Sequence, residues 1–377
     1  NKLKLLLQES VKKRLISDVP IGTFLSGGID SSLITAIAQE VNNSKINTFS
    51  IGFKDAKYNE SEHAKKVANQ IGTSHNEFIV SEKEAIDEIE NIMFHFDEPF
   101  ADSSALPATL VSKMAKKHVT VCLSGDGGDE LFMGYGAYKW ANRLNNTAIK
   151  RLRYPISKLM WASHNNKYKR ASLLMNSPDK NWKSHIFSQE QYLFSEDEIN
   201  DFLLKPNIFN LRTINEEISL SRNLSYSEKQ AFFDLNNYLI NDLLVKVDRA
   251  SMLNSLEVRV PLLDHQIIAF SINLDEKLKQ KNGVQKYLLK ELVYDYVPKS
   301  LMNRPKWGFS IPLEKWLKND LSYLIEKYLN KNIIEEQDIL NYGQVKSLIK
   351  RFNEGEDYLY NRIWCLIVLN KFILENC

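Results

Sequence analysis

Two glycine-rich turns, each directly after a short apolar run, constrain this chain more than any other feature of its sequence. The first is Leu25–Ser32, which reads Leu-Ser-Gly-Gly-Ile-Asp-Ser-Ser, and the second is Leu123–Glu130, which reads Leu-Ser-Gly-Asp-Gly-Gly-Asp-Glu. Each pattern predicts a buried strand that stops at Leu-Ser-Gly and presents an aspartate just beyond. Ligands of open parallel sheets bind outside the carboxyl ends of the strands, so two such turns on neighbouring strands predict one shared ligand site.

Strand and helix patterns alternate around the two turns. Strands are predicted at Ile21–Leu25, Ile46–Ile51, His75–Val80 and Val119–Leu123, and helices at Leu3–Ile16, Ser32–Val41, Glu60–Ile71, Lys83–Phe94 and Leu106–Lys117. Alternation of this kind predicts an α/β fold with a doubly wound parallel sheet and right-handed crossovers. Beyond Glu130 the strand signal fades and helical patterns dominate. Three segments are therefore predicted: a leading helix and linker over 1–17, a nucleotide-binding α/β core over 18–140, and a mostly helical part over 141–377 that completes the site.

Composition excludes several classes of protein. The 377 residues carry a formal net charge of only +2, so the whole-chain balance predicts neither a nucleic-acid partner nor a membrane partner. No apolar stretch approaches the roughly 20 residues needed to span a bilayer. Cys122, Cys365 and Cys377 lack metal-binding spacing and predict reduced thiols in a cytoplasmic protein. The seven histidines are scattered, which argues against a zinc enzyme.

One stretch departs from this balance. Residues 141–185 contain ten Lys or Arg against the single acid Asp179, together with four large aromatic residues, Tyr154, Trp161, Tyr168 and Trp182. An RNA-contacting surface is one interpretation. The favoured expectation is a solvated helical excursion whose aromatic side chains pack inward, because clustered charge alone is a weak signal.

The first turn has the composition of a phosphate site. Gly27 and Gly28 allow a ligand to approach the backbone closely, the following helix directs free N–H groups at an anion, and Ser26, Ser31 and Ser32 add hydroxyl donors. No Gly-Lys-Ser/Thr follows, so no lysine of this loop reaches a γ-phosphate. This favours cleavage at the α-phosphate over kinase-like transfer of the γ group.

The aspartates beside the predicted phosphates require a cation. Magnesium commonly joins one or two carboxylates to substrate phosphates, so Asp30 and Asp129 are the predicted Mg²⁺ ligands. The alternative for the first turn is an ordinary strand-to-helix turn in which Asp30 or Ser31 caps the helix. The second turn, equally rich in glycine and equally placed after a strand, argues against that alternative.

Several ordered blocks resemble the synthetase domain of glutamine-dependent asparagine synthetases. They are the two turns with their flanks, Val19–Ser32 and Cys122–Tyr135, and four later runs: Val247–Met252, Leu256–Asp264, Lys286–Glu291 and Arg304–Pro312 with Trp316. The resemblance covers nearly the whole chain and thins between Leu144 and Ser225. It implies an ATP pyrophosphatase fold and an enzyme that uses ATP to convert aspartate to β-aspartyl-AMP with release of pyrophosphate. Ammonia then displaces AMP to give asparagine.

The resemblance also implies roles for individual residues. Phe24 and Ile51, expected at the ends of strands one and two, would lie beside the adenosine, which Ser124 and Gly125 would contact from the second turn. Lys286 would contact phosphate oxygens and stabilise both transition states; its alternative is an exposed helix lysine.

Three further carboxylates are less securely matched. Asp126 stands where many family members carry glutamate and would support formation of the acyl-adenylate. Asp242 corresponds, within one residue, to a carboxylate near the ammonia-attack site, with a solvated helix acid as the alternative. Asp264 is expected to be structural. Four further charged residues either line the substrate side or form internal ion pairs: Asp248, Arg249, Glu257 and Arg259.

Other functions remain open from the sequence. Other enzymes with this fold adenylate different carboxylates; these enzymes resemble β-lactam synthetases or amidate polysaccharides. Asp126 favours amide formation. Thiolases and lysidine-forming enzymes act on tRNA with a similar first loop, and a regulatory nucleotide-binding module would not need both Asp30 and Asp129. The chain starts at Asn1, so we expect a piece of a longer protein whose glutaminase domain lies in cis; alone it would use free ammonia. A homodimer is expected only by analogy.

Overall fold

The computed structural model of this chain describes residues 1–53, 59–163, 165–205, 222–303 and 311–376. Within these residues a five-stranded sheet has the order β3-β2-β1-β4-β5, and all its pairs are parallel. The strands are β1 Ile21–Phe24, β2 Asn47–Phe53, β3 Ser74–Val80, β4 Val121–Leu123 and β5 Glu257–Arg259. The predicted α/β parallel sheet is confirmed. The strand order reverses between β1 and β4, so the crevice at the carboxyl ends of these two strands is the switch point where such sheets bind ligands.

Helices account for most of the remaining described residues. They are α1 Lys2–Arg14, α2 Ile29–Val41, α3 Ser61–Ile71, α4 Glu82–His95, α5 Ala105–Ala115, α6 Gly128–Phe132, α7 Tyr138–Asn145, α8 Thr147–Trp161, α9 Asn166–Asn176, α10 Trp182–Glu190, α11 Glu196–Phe202, α12 Tyr226–Asn236, α13 Leu244–Met252, α14 His265–Asn273, α15 Glu276–Lys279, α16 Tyr287–Val293, α17 Lys299–Met302, α18 Leu313–Lys318, α19 Ser322–Tyr328, α20 Lys331–Gln337, α21 Tyr342–Asn353 and α22 Tyr360–Asn376. A π-helical turn, Leu239–Leu243, runs directly into α13.

The chain divides into two compact units. The sheet unit comprises 1–95, 102–135 and 235–311, and the helical unit comprises 96–101, 136–234 and 312–377. Residues 235–311, which the sequence pattern assigns to the helical part, thus belong with the sheet. The roles predicted for segments 1–17, 18–140 and 141–377 stay predictions.

The sequence pattern misses β5 and misplaces the end of β2. β5 pairs with β4 through three residues, Glu257, Val258 and Arg259, and its two charged ends hide the apolar signal. As an edge strand, β5 needs a hydrogen-bonded neighbour on one side only. The side chains of Glu257 and Arg259 form an ion pair of 2.6 Å, which is one of the two alternatives predicted for these residues. β2 continues two residues beyond Ile51 to Phe53, so Ile51 lies inside the strand and not at its end. Phe24 does end β1, as predicted.

The core of the sheet unit joins α1, α2 and α16. Fully or almost fully buried side chains from these helices form one cluster, which includes Leu3, Leu7, Val11, Leu33, Ile37, Leu289 and Val293. The hydroxyls of Thr23 on β1 and Thr35 on α2 lie 2.8 Å apart, so the buried interface between strand and helix also satisfies its polar groups. This packing fixes the first turn of α2 and the start of α16 relative to the end of β1.

The last turn of α1 is tied to the segment after β5. Ser10 Oγ donates to the carbonyl of Pro261 at 2.7 Å, and the Arg14 guanidinium lies 3.2 Å from Asp264 Oδ2. Asp264 also caps α14, because its side chain accepts from the Gln266 N–H. The structural role predicted for Asp264 is confirmed. Burial alone would raise the pKa of this carboxyl, but the Gln266 N–H and Arg14 outweigh that effect and lower it.

The helical unit has its own core, which includes the fully buried Trp316, Leu324, Phe352 and Ile363. Helices α8 and α9 are joined by the hydroxyls of Ser157 and Ser172, which lie 3.1 Å apart. The expectation that the aromatic residues of 141–185 pack inward is wrong for three of them. Only Trp182 is buried, at 5% exposure, whereas Tyr154, Trp161 and Tyr168 are 53%, 53% and 52% exposed.

A search of the described residues for a bilayer-spanning helix, one both long enough and apolar enough, finds none.

Asp264 supplies the first test, because Asp275 offers a matched control. Both aspartates cap a helix, Asp275 by accepting from the Lys277 N–H at 2.8 Å, but only Asp264 also pairs with Arg14. Losing a cap costs about 1 kcal/mol, and a hydrogen bond to a charged group adds about 1.5–3 kcal/mol. Urea unfolding should therefore show Asp264→Ala to be destabilised by about 2–4 kcal/mol and Asp275→Ala by about 1 kcal/mol. Equal losses would contradict the bridging role of Asp264.

Candidate active site

The two predicted turns meet at the carboxyl ends of β1 and β4, which are neighbours in the sheet. Glycine makes this approach possible. A β-carbon on Gly125 would lie 2.7 Å from the backbone nitrogen of Ser31, and one on Gly128 would lie 2.4 Å from Asp30 Oδ1. Both separations are shorter than any ordinary contact, so a larger residue at either position would force the turns apart.

The first turn is organised by its own backbone and hydroxyls. Gly27 has a φ of +75°, which favours glycine, and Gly28 begins α2 without a side-chain cap. The hydroxyls of Ser26 and Ser31 lie 3.0 Å apart, and the Gly28 N–H donates to Ser26 Oγ at 3.3 Å. Asp30 lies within the first turn of the helix, so neither it nor Ser31 is the helix cap. A helix start of this kind, with its N–H groups and positive dipole end, favours an anion.

Lys286 lies between the two predicted metal ligands. Its ammonium group forms an ion pair with Asp30 and a second with Asp129 Oδ1 at 2.7 Å, and the lysine is only 7% exposed. The alternative of an exposed helix lysine is excluded. Burial alone would lower the pKa of Lys286, but the two carboxylates outweigh it and raise the pKa well above its ordinary value. The ammonium therefore stays charged.

Backbone geometry holds Lys286 in this position. The residue precedes α16 with a φ of +51°, in the left-handed region that few non-glycine residues adopt. Outliers of this kind persist only where the surroundings enforce them, and they cluster at functional sites. The side chain also passes close to Gly134, because a β-carbon there would lie 2.2 Å from Lys286 Cε and 1.9 Å from Asp129 Oδ1.

Glu130 is a further buried acid beside this group. Burial and the neighbouring Asp129 raise the pKa of Glu130 to about 7, although the Tyr135 hydroxyl, which donates to it at 2.7 Å, opposes the shift. The sequence analysis placed Glu130 in the second turn but assigned it no role.

A second lysine lies between two other aspartates. The ammonium group of Lys246, on α13, lies 2.8 Å from Asp102 Oδ2 and 2.8 Å from Ser104 Oγ. Burial lowers the pKa of Lys246, but Asp102, Asp242 and Asp126 together raise it above its ordinary value. The negative charge of Asp126 in the second turn thus favours the charged form of Lys246. Gly125 and Gly128 of the same turn lie against Asp30.

Asp242 completes the second group. It lies in the π-helical turn before α13, an irregularity that often marks functional sites. Burial and the adjacent Asp102 carboxylate raise the pKa of Asp242 well above its ordinary value, and a carboxyl hydrogen bond joins the two. For Asp102, burial is outweighed by Lys246 and Ser104, which lower its pKa. The two carboxyls of this group thus have opposite pKa shifts, lowered for Asp102 and raised for Asp242.

Not every predicted site residue is tied into these groups. Ser32 and Ser124 have buried hydroxyls with no hydrogen-bond partner among the described residues, and such groups beside the turns fit an incoming polar ligand. Ile51 is buried and Phe24 half-buried in neighbouring strands. Of the matched run Arg304–Pro312, residues 304–310 lie outside the described residues.

The donor set fits a magnesium ion bound together with substrate phosphates. Mg²⁺ usually takes one or two carboxylates and completes its shell with phosphate oxygens and water. Asp30 and Asp129 supply two carboxylates within reach of one cation, the Lys286 ammonium. In the described part of the chain no group of three or more His, Cys, Asp or Glu could hold a metal by itself, so the phosphates would have to contribute.

These features define an open parallel α/β protein with its site at the switch point of the sheet. Residues 2–374 match the asparagine synthase family, and the chain belongs to this family.

Curated relatives agree with that assignment. The chain is 35% identical over 338 residues to asparagine synthetase (glutamine-hydrolyzing) 1 of Bacillus subtilis, covering 88% of this chain and 51% of that protein. It is 30% identical over 370 residues to a putative asparagine synthetase (glutamine-hydrolyzing) of Mycobacterium tuberculosis, covering 96% and 55%. A putative asparagine synthetase (glutamine-hydrolyzing) 2 of Methanocaldococcus jannaschii is 38% identical over 264 residues, covering 68% and 50%. The chain spans about half the length of these relatives.

The sequence analysis missed Asp102 and Lys246. Asp102 follows α4 in a loop without glycine, and Lys246 resembles any helix lysine in sequence. One signal was available: Asp242 and Lys246 are four residues apart, the spacing that brings a carboxylate and an ammonium to one helix face.

The opposite pKa shifts of Asp102 and Asp242 make identical substitutions informative. Asp102→Asn leaves Lys246 without its buried counter-ion and should cost about 3–5 kcal/mol at neutral pH. Asp242→Asn removes a buried carboxyl whose pKa is raised, so at neutral pH it should leave the free energy of unfolding unchanged or increase it. Urea unfolding of the two variants measures the difference, and equal costs would contradict the assigned pKa shifts.

The pH dependence gives a second readout of the same pair. The folded Asp242 keeps its proton above the unfolded pKa of about 4, so its contribution to stability declines as the pH rises from there towards the folded pKa. Asp242→Asn should remove this decline.

Proposed function

We propose that this chain is the synthetase part of an asparagine-forming enzyme that uses ATP, aspartate and ammonia. The observation that carries the proposal is the Asp30–Lys286–Asp129 group, set against the glycine-rich turns at the switch point of the sheet. Family membership and the names of the relatives support the same reaction.

In the first step, a side-chain carboxylate oxygen of aspartate would attack the α-phosphorus of ATP. The bond from that phosphorus to the bridging oxygen breaks, and pyrophosphate leaves with the electron pair, giving β-aspartyl-AMP. Charge builds up on the departing pyrophosphate, where the Lys286 ammonium and the N–H groups at the start of α2 would stabilise it. Bound Mg²⁺, held by Asp30 and Asp129, would supply further charge neutralisation at the phosphates.

In the second step, ammonia would attack the acyl carbon, and AMP would leave with the electrons of its bond. The nitrogen must lose a proton to form the amide. Asp242 and Asp126 are the candidate groups near this step, Asp242 because its raised pKa places it nearer neutrality than an ordinary carboxyl. Asp126 would act on the acyl-adenylate from the second turn.

Adenosine binding completes the proposed site. Phe24 and Ile51 would line the adenosine, and Ser124 and Gly125 would contact it from the other side. The hydroxyls of Ser26, Ser31 and Ser32 would join the phosphate contacts, with Gly27 and Gly28 allowing the backbone to approach.

Partners and location belong to the same proposal. The relatives are about twice as long and are named glutamine-hydrolyzing, which supports a glutaminase domain in cis as the natural ammonia source. A homodimer rests on analogy alone. The free and buried thiol of Cys122 supports a reducing, cytoplasmic location.

The alternative function is adenylation of a different carboxylate, as in β-lactam-forming or polysaccharide-amidating relatives. ATP–pyrophosphate exchange with Mg²⁺ and a panel of carboxylates separates the two. Exchange that depends on aspartate supports asparagine formation. Exchange with another acid supports the alternative, and exchange with none of them would contradict the adenylation proposal.

Lys286→Ala tests the assigned role of the lysine, with Lys290→Ala as the matched control one turn further along α16. Loss of a positioned electrostatic donor costs about 3–4 kcal/mol in the transition state, so we expect the exchange rate to fall on the order of 10²–10³-fold. Lys290→Ala should exchange at nearly the wild-type rate. A folded Lys286→Ala protein with the wild-type rate would remove Lys286 from the mechanism.

A further inference from the structure

A basic surface on α8 and α9 is left unexplained by the proposed reaction. Residues 147–176 contain no aspartate or glutamate and seven basic residues, Lys150, Arg151, Arg153, Lys158, Lys167, Lys169 and Arg170. The whole-chain net charge of +2 conceals this local excess.

The exposed face of α8 is ordered in rows. Side chains seven residues apart lie two turns apart on one face, and three such pairs are outward-facing on α8: Arg151 with Lys158, Leu152 with Leu159, and Tyr154 with Trp161. At about 100° per residue, the basic row lies between the leucine row and the aromatic row.

The apolar rows are unusually open to solvent. Leu159 is 76% exposed and Leu152 55%, and Tyr168 at the start of α9 adds another half-exposed aromatic side chain. Single exposed apolar residues need no explanation, but the two leucines form one row directly beside the basic row, and such a combination marks an interaction surface.

The basic row is available to an external anion. Within the helical unit, Lys150 and Arg153 pair with Asp179, and the Arg153 guanidinium also lies over the Tyr154 ring at 4.8 Å. By contrast, no ion pair joins Arg151, Lys158 or Lys167 to any acid in the ranges that the structure covers.

We propose that this face of α8 and α9 docks on the surface of an anionic lipid bilayer. Helices that lie in a membrane interface combine apolar residues such as Leu on the buried side with Lys and Arg on the polar side. The leucine row and the adjacent basic row of α8 match this pattern, whereas the aromatic row, about 160° from the leucines, would face away from the bilayer. With 15 residues, α8 is about 22 Å long, and it would lie along the surface with its leucines at the acyl boundary.

RNA is the competing partner, and two observations disfavour it. Exposed leucines contribute nothing to phosphate contacts, and RNA surfaces present open aromatic faces on which bases stack. Here Arg153 already covers one face of Tyr154. The leucine row therefore favours an anionic bilayer over RNA as the partner.

Co-sedimentation of the full chain with lipid vesicles tests the proposal. The vesicles are phosphatidylcholine alone or phosphatidylcholine with about one third phosphatidylglycerol, at about 0.1 M salt, where the Debye length is about 10 Å. We expect binding to the anionic vesicles only. Arg151→Glu with Lys158→Glu should weaken it by about 30-fold or more, and Leu152→Ser with Leu159→Ser by about tenfold or more.

Matched controls use exposed residues elsewhere: Lys66→Glu with Lys346→Glu for charge, and Leu278→Ser with Leu374→Ser for apolar area. Both should retain at least half of the wild-type vesicle binding, and circular dichroism verifies folding of every variant. Equal losses in the controls, or no binding to anionic vesicles, would overturn the proposal. So would fluorescence anisotropy that shows tight binding to a single-stranded RNA, lost in the α8 variants, while vesicle binding is absent.

Discussion

The ion pairs of Lys286 with Asp30 and Asp129 are the interaction on which the proposed site depends. Two carboxylates facing each other in a buried crevice would repel strongly, and the ammonium group offsets that repulsion. The contact joins three separate parts of the chain: the first turn, the second turn and the start of α16. It therefore offsets the negative charge that the glycine-mediated approach of the two turns brings together.

The same arrangement occurs twice in the sheet unit. Lys246 lies beside Asp102 with Asp242 adjacent, as Lys286 lies beside Asp30 and Asp129. The second turn serves both groups, because Gly128 faces Asp30 while Asp126 acts on Lys246. The two groups differ in one respect, because burial and Asp102 raise the pKa of Asp242. In the proposed reaction the first group would handle phosphate charge and the second would handle the proton lost on amide formation.

The sequence was sufficient for the fold and for the residues that local motifs carry. Alternating apolar runs predicted four of the strands, and the glycine turns located Asp30 and Asp129. It was insufficient wherever a role arises from tertiary contact. β5 was missed because its three residues begin and end in charge, and Lys246 was missed because its partner Asp102 lies far away in the chain. The exposure of Tyr154 and Trp161 could not be predicted from the sequence either, because a helical pattern does not show which face of the helix packs against another element.

Thermal unfolding with and without Mg²⁺, in the absence of ATP, tests most directly whether Lys286 occupies the place of a cation between Asp30 and Asp129. Lys286→Met should lower the melting temperature without Mg²⁺, because it removes the buried ammonium group that both carboxylates contact, and millimolar Mg²⁺ should restore part of the loss. Wild type and Lys290→Met should respond to Mg²⁺ much less. A Lys286→Met protein that melts like wild type and ignores Mg²⁺ would contradict the account.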